Sequence, residues 1–193
     1  SGGINLADTF AFTGTVTGAG FTFATPVALN GQSSVTFSSL PSGVTVIKYG
    51  FWRESHSGGS GVTAIQLGDS GGIETSGYAR NDSYHIIGSG TMAGSSSADD
   101  SYWSLNSWPA ALYVMQHYGQ IYRTHGNKWQ LQANVIQSGS APTYWVDYKG
   151  WKELSAELTQ IKFSVTSGTW DESDSYVSIC LLYTSDAADE TTG

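Results

Sequence analysis

The most conspicuous chemical pattern in the chain is Gly-Asp-Ser-Gly-Gly at residues 68 to 72, a setting in which a serine could act as an acyl-transfer nucleophile. That chemistry needs Ser70 to be joined by a histidine as base and by a carboxylate that fixes the histidine tautomer. His56 is the only histidine before it, and Asp69, inside the motif, is the only acid between them. The stretch therefore reads as a turn, where glycine permits positive φ and Asp69 bonds nearby backbone.

Carboxylates are the next candidates. Glycan cleavage needs two of them, about 5 Å or about 6.5 to 9.5 Å apart. Glu54, Asp69, Glu74, Asp82 and the group Asp171, Glu172 and Asp174 are available, mostly between Gly and Ser, and no spacing selects a pair. The same acidic group has hard oxygens for calcium but no ligand register. His56, His85, His117 and His125 are scattered, with only His117 and His125 placed to meet across a hairpin; they read as polar residues at strand ends. The expectation is a protein that is not an enzyme and holds no metal or cofactor.

Aromatic residues form the most informative surplus, with 7 Trp and 11 Tyr. Each ring is large and rigid, loses little freedom when bound, and stacks on the C–H face of a sugar. Trp129 falls on a buried parity, whereas Trp52 opposes Phe51 and should be exposed. Trp103, Trp108, Trp145 and Trp151 fall in or beside loops, as do Tyr102, Tyr122 and Tyr144. Amides on a wet strand face, Gln130, Gln132 and Asn134, suit hydroxyl groups. The expected ligand-binding set is Trp52, Trp103, Trp108, Tyr122, Gln130, Gln132 and Trp145, and whether Trp103, Trp108 and Trp145 converge on one exposed groove is the observation that would sharpen it most.

The elements that must position these residues are strands. Glycine numbers 24, aromatics make up 13% and charged residues 12%, about half the usual charged share. In "KWQLQANV" Trp129, Leu131, Ala133 and Val135 face one way and the amides the other. "VTVIKYGFW" puts Ile47, Tyr49 and Phe51 on one face and is expected to pair with "SSVTFSSL" through Pro41-Ser42-Gly43. "ALYVMQHY" is apolar on both parities, as at the centre of a sandwich. "WKELSAEL" could form one helical turn, bringing Leu154 and Leu158 together. The whole predicts an all-β protein, an antiparallel jelly-roll or lectin-like β-sandwich over 32–179. Before it lies a thin strand segment, 1–31, in which Phe10, Phe12 and Val16 share a parity.

Residues 180 to 190, "CLLYTSDAADE", read in codons resemble a sequencing adapter translated in frame, so 180–193 is expected to be a tail outside the fold. Cys180, the only cysteine, then carries no redox meaning. Without Asp186, Asp189 and Glu190 the net charge moves from −8 to −5, still acidic and unsuited to nucleic acid. No apolar run is long enough for a membrane helix, and "SGGINLADTF" lacks the parts of a signal peptide.

The order "SSVTFSSLPSGVTVIKYGF", "IQLGDSGGIETSGY" and "YKGWKELSAELTQIKFSVTSGTWDESDSYVSI" resembles a β-sandwich domain at the ends of bacteriophage virion proteins, of the tail-fibre-like kind. The likeness consists of texture and short phrases over residues 4 to 179. It implies a virion protein made in the bacterial host cytoplasm. Its partners would be other virion proteins, further copies of itself (a trimer being one form) and a glycan on the host surface. A purely structural virion role and, further off, a polysaccharide depolymerase are the alternatives.

Overall fold

The computed structural model describes residues 19–59, 61–105, 113–139 and 143–184. Among these the chain is built of strands and contains no helix. They are β1 (Ala19–Phe23), β2 (Val27–Ala28), β3 (Ser34–Phe37), β4 (Val44–Glu54), β5 (Thr63–Asp69), β6 (Gly72–Ile73) and β7 (Tyr78–Ile86). Then come β8 (Met92–Asp100), β9 (Trp103–Leu105), β10 (Tyr113–His125), β11 (Lys128–Gly139), β12 (Tyr144–Glu153), β13 (Gln160–Val165) and β14 (Tyr176–Thr184).

Two antiparallel sheets result, the β-sandwich architecture that the alternation implies. The larger runs β1-β14-β4-β10-β11-β12-β7-β8, with β2 also on β14; the smaller runs β3-β13-β5-β6, with β9 on β5. β10 sits inside the larger sheet, but only one of its faces is dry: Met115, His117 and Ile121 are buried while Gln116 and Tyr118 are exposed, so the expectation of a strand buried on both parities is corrected. The core lies between the sheets. Ile47, Tyr49 and Phe51 of β4 and Trp129, Leu131, Ala133 and Val135 of β11 are all buried, as their parity requires. Phe163 of β13 reaches across to them, its ring centroid 5.2 Å from that of Phe51 and 5.4 Å from that of Tyr49. Edge-to-face aromatic pairs of this kind add about 0.5–1.5 kcal/mol each beyond their buried area.

Two glycines shape this core. A Cβ on Gly119 would lie 2.7 Å from the Tyr49 ring, and one on Gly150 would lie 2.6 Å from Trp103 Nε1. Glycine in these strands lets a large ring lie flat on the sheet, which no side-chain-bearing residue would allow.

β4 also carries a bulge. Phe51 pairs with His117 and Glu54 with Met115, so Trp52 and Arg53 together oppose Gln116. Arg53 has φ of +53°, in the left-handed region. Simple alternation would send Arg53 inward and Glu54 outward. The extra residue reverses this, leaving Trp52 and Arg53 exposed and turning Glu54 into the core.

Several expectations are corrected. β3 and β4 are not paired; β3 bonds to β13 in the opposite sheet. Six residues, 38 to 43, separate them, long enough to cross between layers rather than close a tight hairpin. No helical turn forms after β12, because the polar groups there are taken by distant partners. Ser155 N–H donates to Glu74 (2.7 Å) and Gly43 N–H to Glu157 (2.9 Å). Leu154 and Leu158 are buried nonetheless. The fold also does not stop at residue 179. Cys180 to Thr184 continue β14, where Leu181 is buried opposite Ile47 and the segment supplies the partner strand for β1. Leu-Leu-Tyr alternates as a strand whatever its coding origin. Phe10, Phe12, Val16 and residues 185–193 lie outside the described residues.

Candidate functional site

The outer face of the larger sheet gathers most of the residues singled out from the sequence. Tyr122 on β10, Gln130 on β11 and Trp151 on β12 stand directly opposite one another. Tyr122 Oη donates to Gln130 Oε1 at 2.7 Å, holding the amide beside the ring. The next outward row, two residues along each strand, is Lys48, Gln120, Gln132 and Lys149; the one after contains Tyr118, Asn134 and Asp147. Six residues along β12 from Trp151 stands Trp145, about 20 Å away at strand rise. Trp145 lies opposite Ile136 and His85, and Trp52 closes the same end from the β4 bulge.

These rings are wet by fold-level geometry. Trp52, Trp145 and Trp151 are 54%, 45% and 53% exposed, and Tyr118 is 49% exposed. Exposed indoles on a strand whose alternate residues, Tyr144, Val146 and Tyr148, are buried cannot be repacked inward without reversing the strand. Shallow depressions run over the face. One of about 430 Å³ lies over Lys48, Tyr118, Gln120, Gln132 and Asn134. Another of about 370 Å³ lies over Tyr122, Gln130, Gln132, Lys149 and Trp151, so the two meet at Gln132.

Of the expected set, Tyr122, Gln130 and Gln132 come together, while Trp52 and Trp145 share their face at the far end. Trp103 does not belong there. It is fully buried, with Nε1 donating to the carbonyls of Ala79 (3.2 Å) and Trp151 (3.4 Å). The reason is Gly150, which clears a place for the indole on the inner face. Convergence of Trp103 with Trp145 is therefore excluded, and Trp108 lies outside the described residues. Trp145 stands on a strand, as does Trp151, a residue that the expected loop-side placement keeps out of the set. Its signal was present in the alternation of "YWVDYKGW", whose odd-numbered positions 145, 147, 149 and 151 all face out.

The other chemical groups serve the interior. Glu54 is completely buried, with Oε2 2.7 Å from His117 Nε2. Its other oxygen accepts from Trp170 Nε1 at 3.1 Å and from Thr63 Oγ1. Burial alone would raise the Glu54 carboxyl. The His117 charge and the hydrogen bonds from His117, Thr63 and Trp170 outweigh it and hold the group below the ordinary glutamate range. Burial pushes the His56 imidazole down, against the pull of Glu54. His117 and His125 do not meet; both are on β10, one buried and one exposed.

Gly68 to Gly72 form the turn between β5 and β6. Asp69 Oδ1 accepts from Gly71 N–H at 2.7 Å, and Gly72 has φ of +119°. Ser155 Oγ donates to Asp69 Oδ2 (2.7 Å) and approaches Glu74 Oε1 (2.9 Å), while the buried Lys152 pairs with Glu74. The Ser155 and Gly71 hydrogen bonds hold the Asp69 carboxyl down. At Glu74, burial is outweighed by Lys152 and Ser155, with the same result. Two carboxylates kept ionised in this way are set as acceptors, the wrong state for a general acid. Glu172 is paired with Arg53 at 2.8 Å, and no group of acids, histidines and cysteine among the described residues is arranged to hold a metal ion.

The chain matches no protein-family model, no curated protein and no solved structure.

Proposed function

We propose that this chain is a glycan-adhesion β-sandwich carried on a bacteriophage particle, binding a polysaccharide of the host surface along the outer face of its larger sheet. The observation that carries the glycan reading is the row Tyr122, Gln130 and Trp151, two rings flanking an amide on three adjacent strands. Rings supply the stacking surface and amides the donors and acceptors for hydroxyls. A second aromatic end at Trp145 and Trp52 favours a chain of several sugar units over a single one. The virion setting rests on the resemblance of its short phrases to tail-fibre-like domains.

Shallow open sites bind weakly, with Kd in the mM range or about −4 kcal/mol, so adhesion requires several copies held together. Phe21 and Phe23, 62% and 77% exposed on the edge strand β1, support assembly through residues 1–31. A stable monomer in light scattering would count against that assembly.

The test is retention of the full chain on immobilised polysaccharides: hyaluronan, polygalacturonate, a poly(glycerol phosphate), dextran and mannan, together with purified bacterial capsules. Binding to at least one, lost in Trp151→Ala and in Tyr122→Ala, is expected. No retention on any polymer, or full retention by Trp151→Ala, would overturn the proposal.

A further inference from the structure

Resting on the glycan reading above, we infer that the ligand of this face is anionic, a polysaccharide with a carboxylate or phosphate on its repeating unit, held across the row from Lys48 to Lys149. The chain has 16 acidic residues and only 8 Lys and Arg. Half of these cations are committed to ion pairs, and of the other four, Arg123 and Lys162 stand outside this row. Arg53 pairs with Glu172, Arg80 with Asp82, Lys128 with Glu153 and Lys152 with Glu74. Lys48 and Lys149 are exposed and, among the described residues, neither forms an ion pair.

Both stand in one row. Lys48 is opposite Gln120, Gln120 opposite Gln132, and Gln132 opposite Lys149. Three strand spacings put the lysines about 14 Å apart. Gln120 Nε2 donates to Gln132 Oε1 at 3.3 Å, so the amide N–H groups of Gln132 remain as donors between the two ammonium groups. Asp147, in the adjoining row, accepts from Asn134. The strip is thus a line of donors bearing two positive charges, with ring faces on either side at Tyr118 and at Tyr122 and Trp151.

The net charge of −8 does not forbid this. At physiological salt, exposed charges more than about 8 Å apart are largely screened, so an anion on this strip feels Lys48 and Lys149 far more than acids elsewhere. Neutral glycans need only stacking and hydroxyl bonding. They give no use for two lysines without ion pairs standing in one row with amide donors between them.

The experiment compares the same polymers by charge. The full chain should be retained by hyaluronan, polygalacturonate or poly(glycerol phosphate), more strongly than by dextran or mannan, and less in high salt. Each exposed charge contact contributes about threefold, so Lys48→Gln with Lys149→Gln should weaken retention about tenfold, with an unchanged unfolding midpoint. Lys162→Gln, on β13 of the other sheet, should bind as the parent does. Carboxyl-reduced hyaluronan separates the sources: loss on reduction identifies carboxylate, and preference for poly(glycerol phosphate) identifies phosphate. Equal retention of neutral and acidic polymers, or no effect of the double substitution, would overturn the anionic inference and leave the glycan reading standing. Retention by none of them would remove both.

Discussion

Trp103, on β9 of the smaller sheet, and Trp151, on β12 of the larger, place their rings against opposite faces of the larger sheet, joined by a hydrogen bond from the Trp103 indole to the Trp151 carbonyl (3.4 Å). One is fully buried over Gly150; the other is half exposed beside Gln130. The inner ring is enclosed by backbone and its N–H is satisfied, so its whole surface contributes to stability. The outer ring has a free face, a neighbouring amide and a lysine two residues away, and its removal leaves no cavity. The same residue type thus stabilises the fold on one side and is available for recognition on the other.

Removing the inner ring should produce the largest effect. Trp103→Ala opens a cavity and should cost about 3–5 kcal/mol in urea unfolding; a loss below about 1 kcal/mol would erase the distinction between the two tryptophans. Glu54→Ala should cost a similar amount, about 3–5 kcal/mol, because His117, Thr63 and Trp170 lose a common buried acceptor. Here pH adds a second reading. The Glu54 carboxyl titrates lower in the folded than in the unfolded chain, so its contribution is complete above the unfolded range and is lost as pH falls through the folded value. Glu54→Gln should therefore flatten the acid limb of the stability curve, and an unaltered limb would show that this carboxylate is not what acid attacks.

Gly150→Ala comes next. Its Cβ would press on Trp103 Nε1 and on the Ala79 carbonyl, 2.9 Å away, so about 1–3 kcal/mol should be lost through overpacking. If alanine were neutral there, the glycine would not be what seats Trp103. The smallest expected change in stability is that of Trp151→Ala, within about 0.5 kcal/mol, as at other exposed positions. Polysaccharide retention should nonetheless disappear. A variant that lost stability and kept retention would exchange the roles assigned to the two rings.

Much of this arrangement was legible from alternation alone. "KWQLQANV" placed Trp129 inside and Gln130 and Gln132 outside because a strand has a period of two and only one of its faces meets the core. Gly68 to Gly72 was readable as a turn because the alternative chemistry lacked a carboxylate between His56 and the motif itself. The bulge at Trp52 and Arg53 was not legible. One inserted residue shifts every following parity, and nothing in "FWRES" marks it, so Glu54 looked like a loop acid. The burial of Trp103 is not legible for a related reason. Short β9 lies among turn residues, and what buries its indole is a glycine 47 positions further along.

The sequence by itself therefore determined the strands, their wet and dry faces and the all-β class, since these depend on neighbours within a few residues. Tertiary structure alone decided which strands adjoin, that Trp151 and not Trp103 stands beside Tyr122 and Gln130, and that Lys48 and Lys149 share a row. Those facts depend on register between segments some hundred residues apart, fixed only when both sheets close over one core.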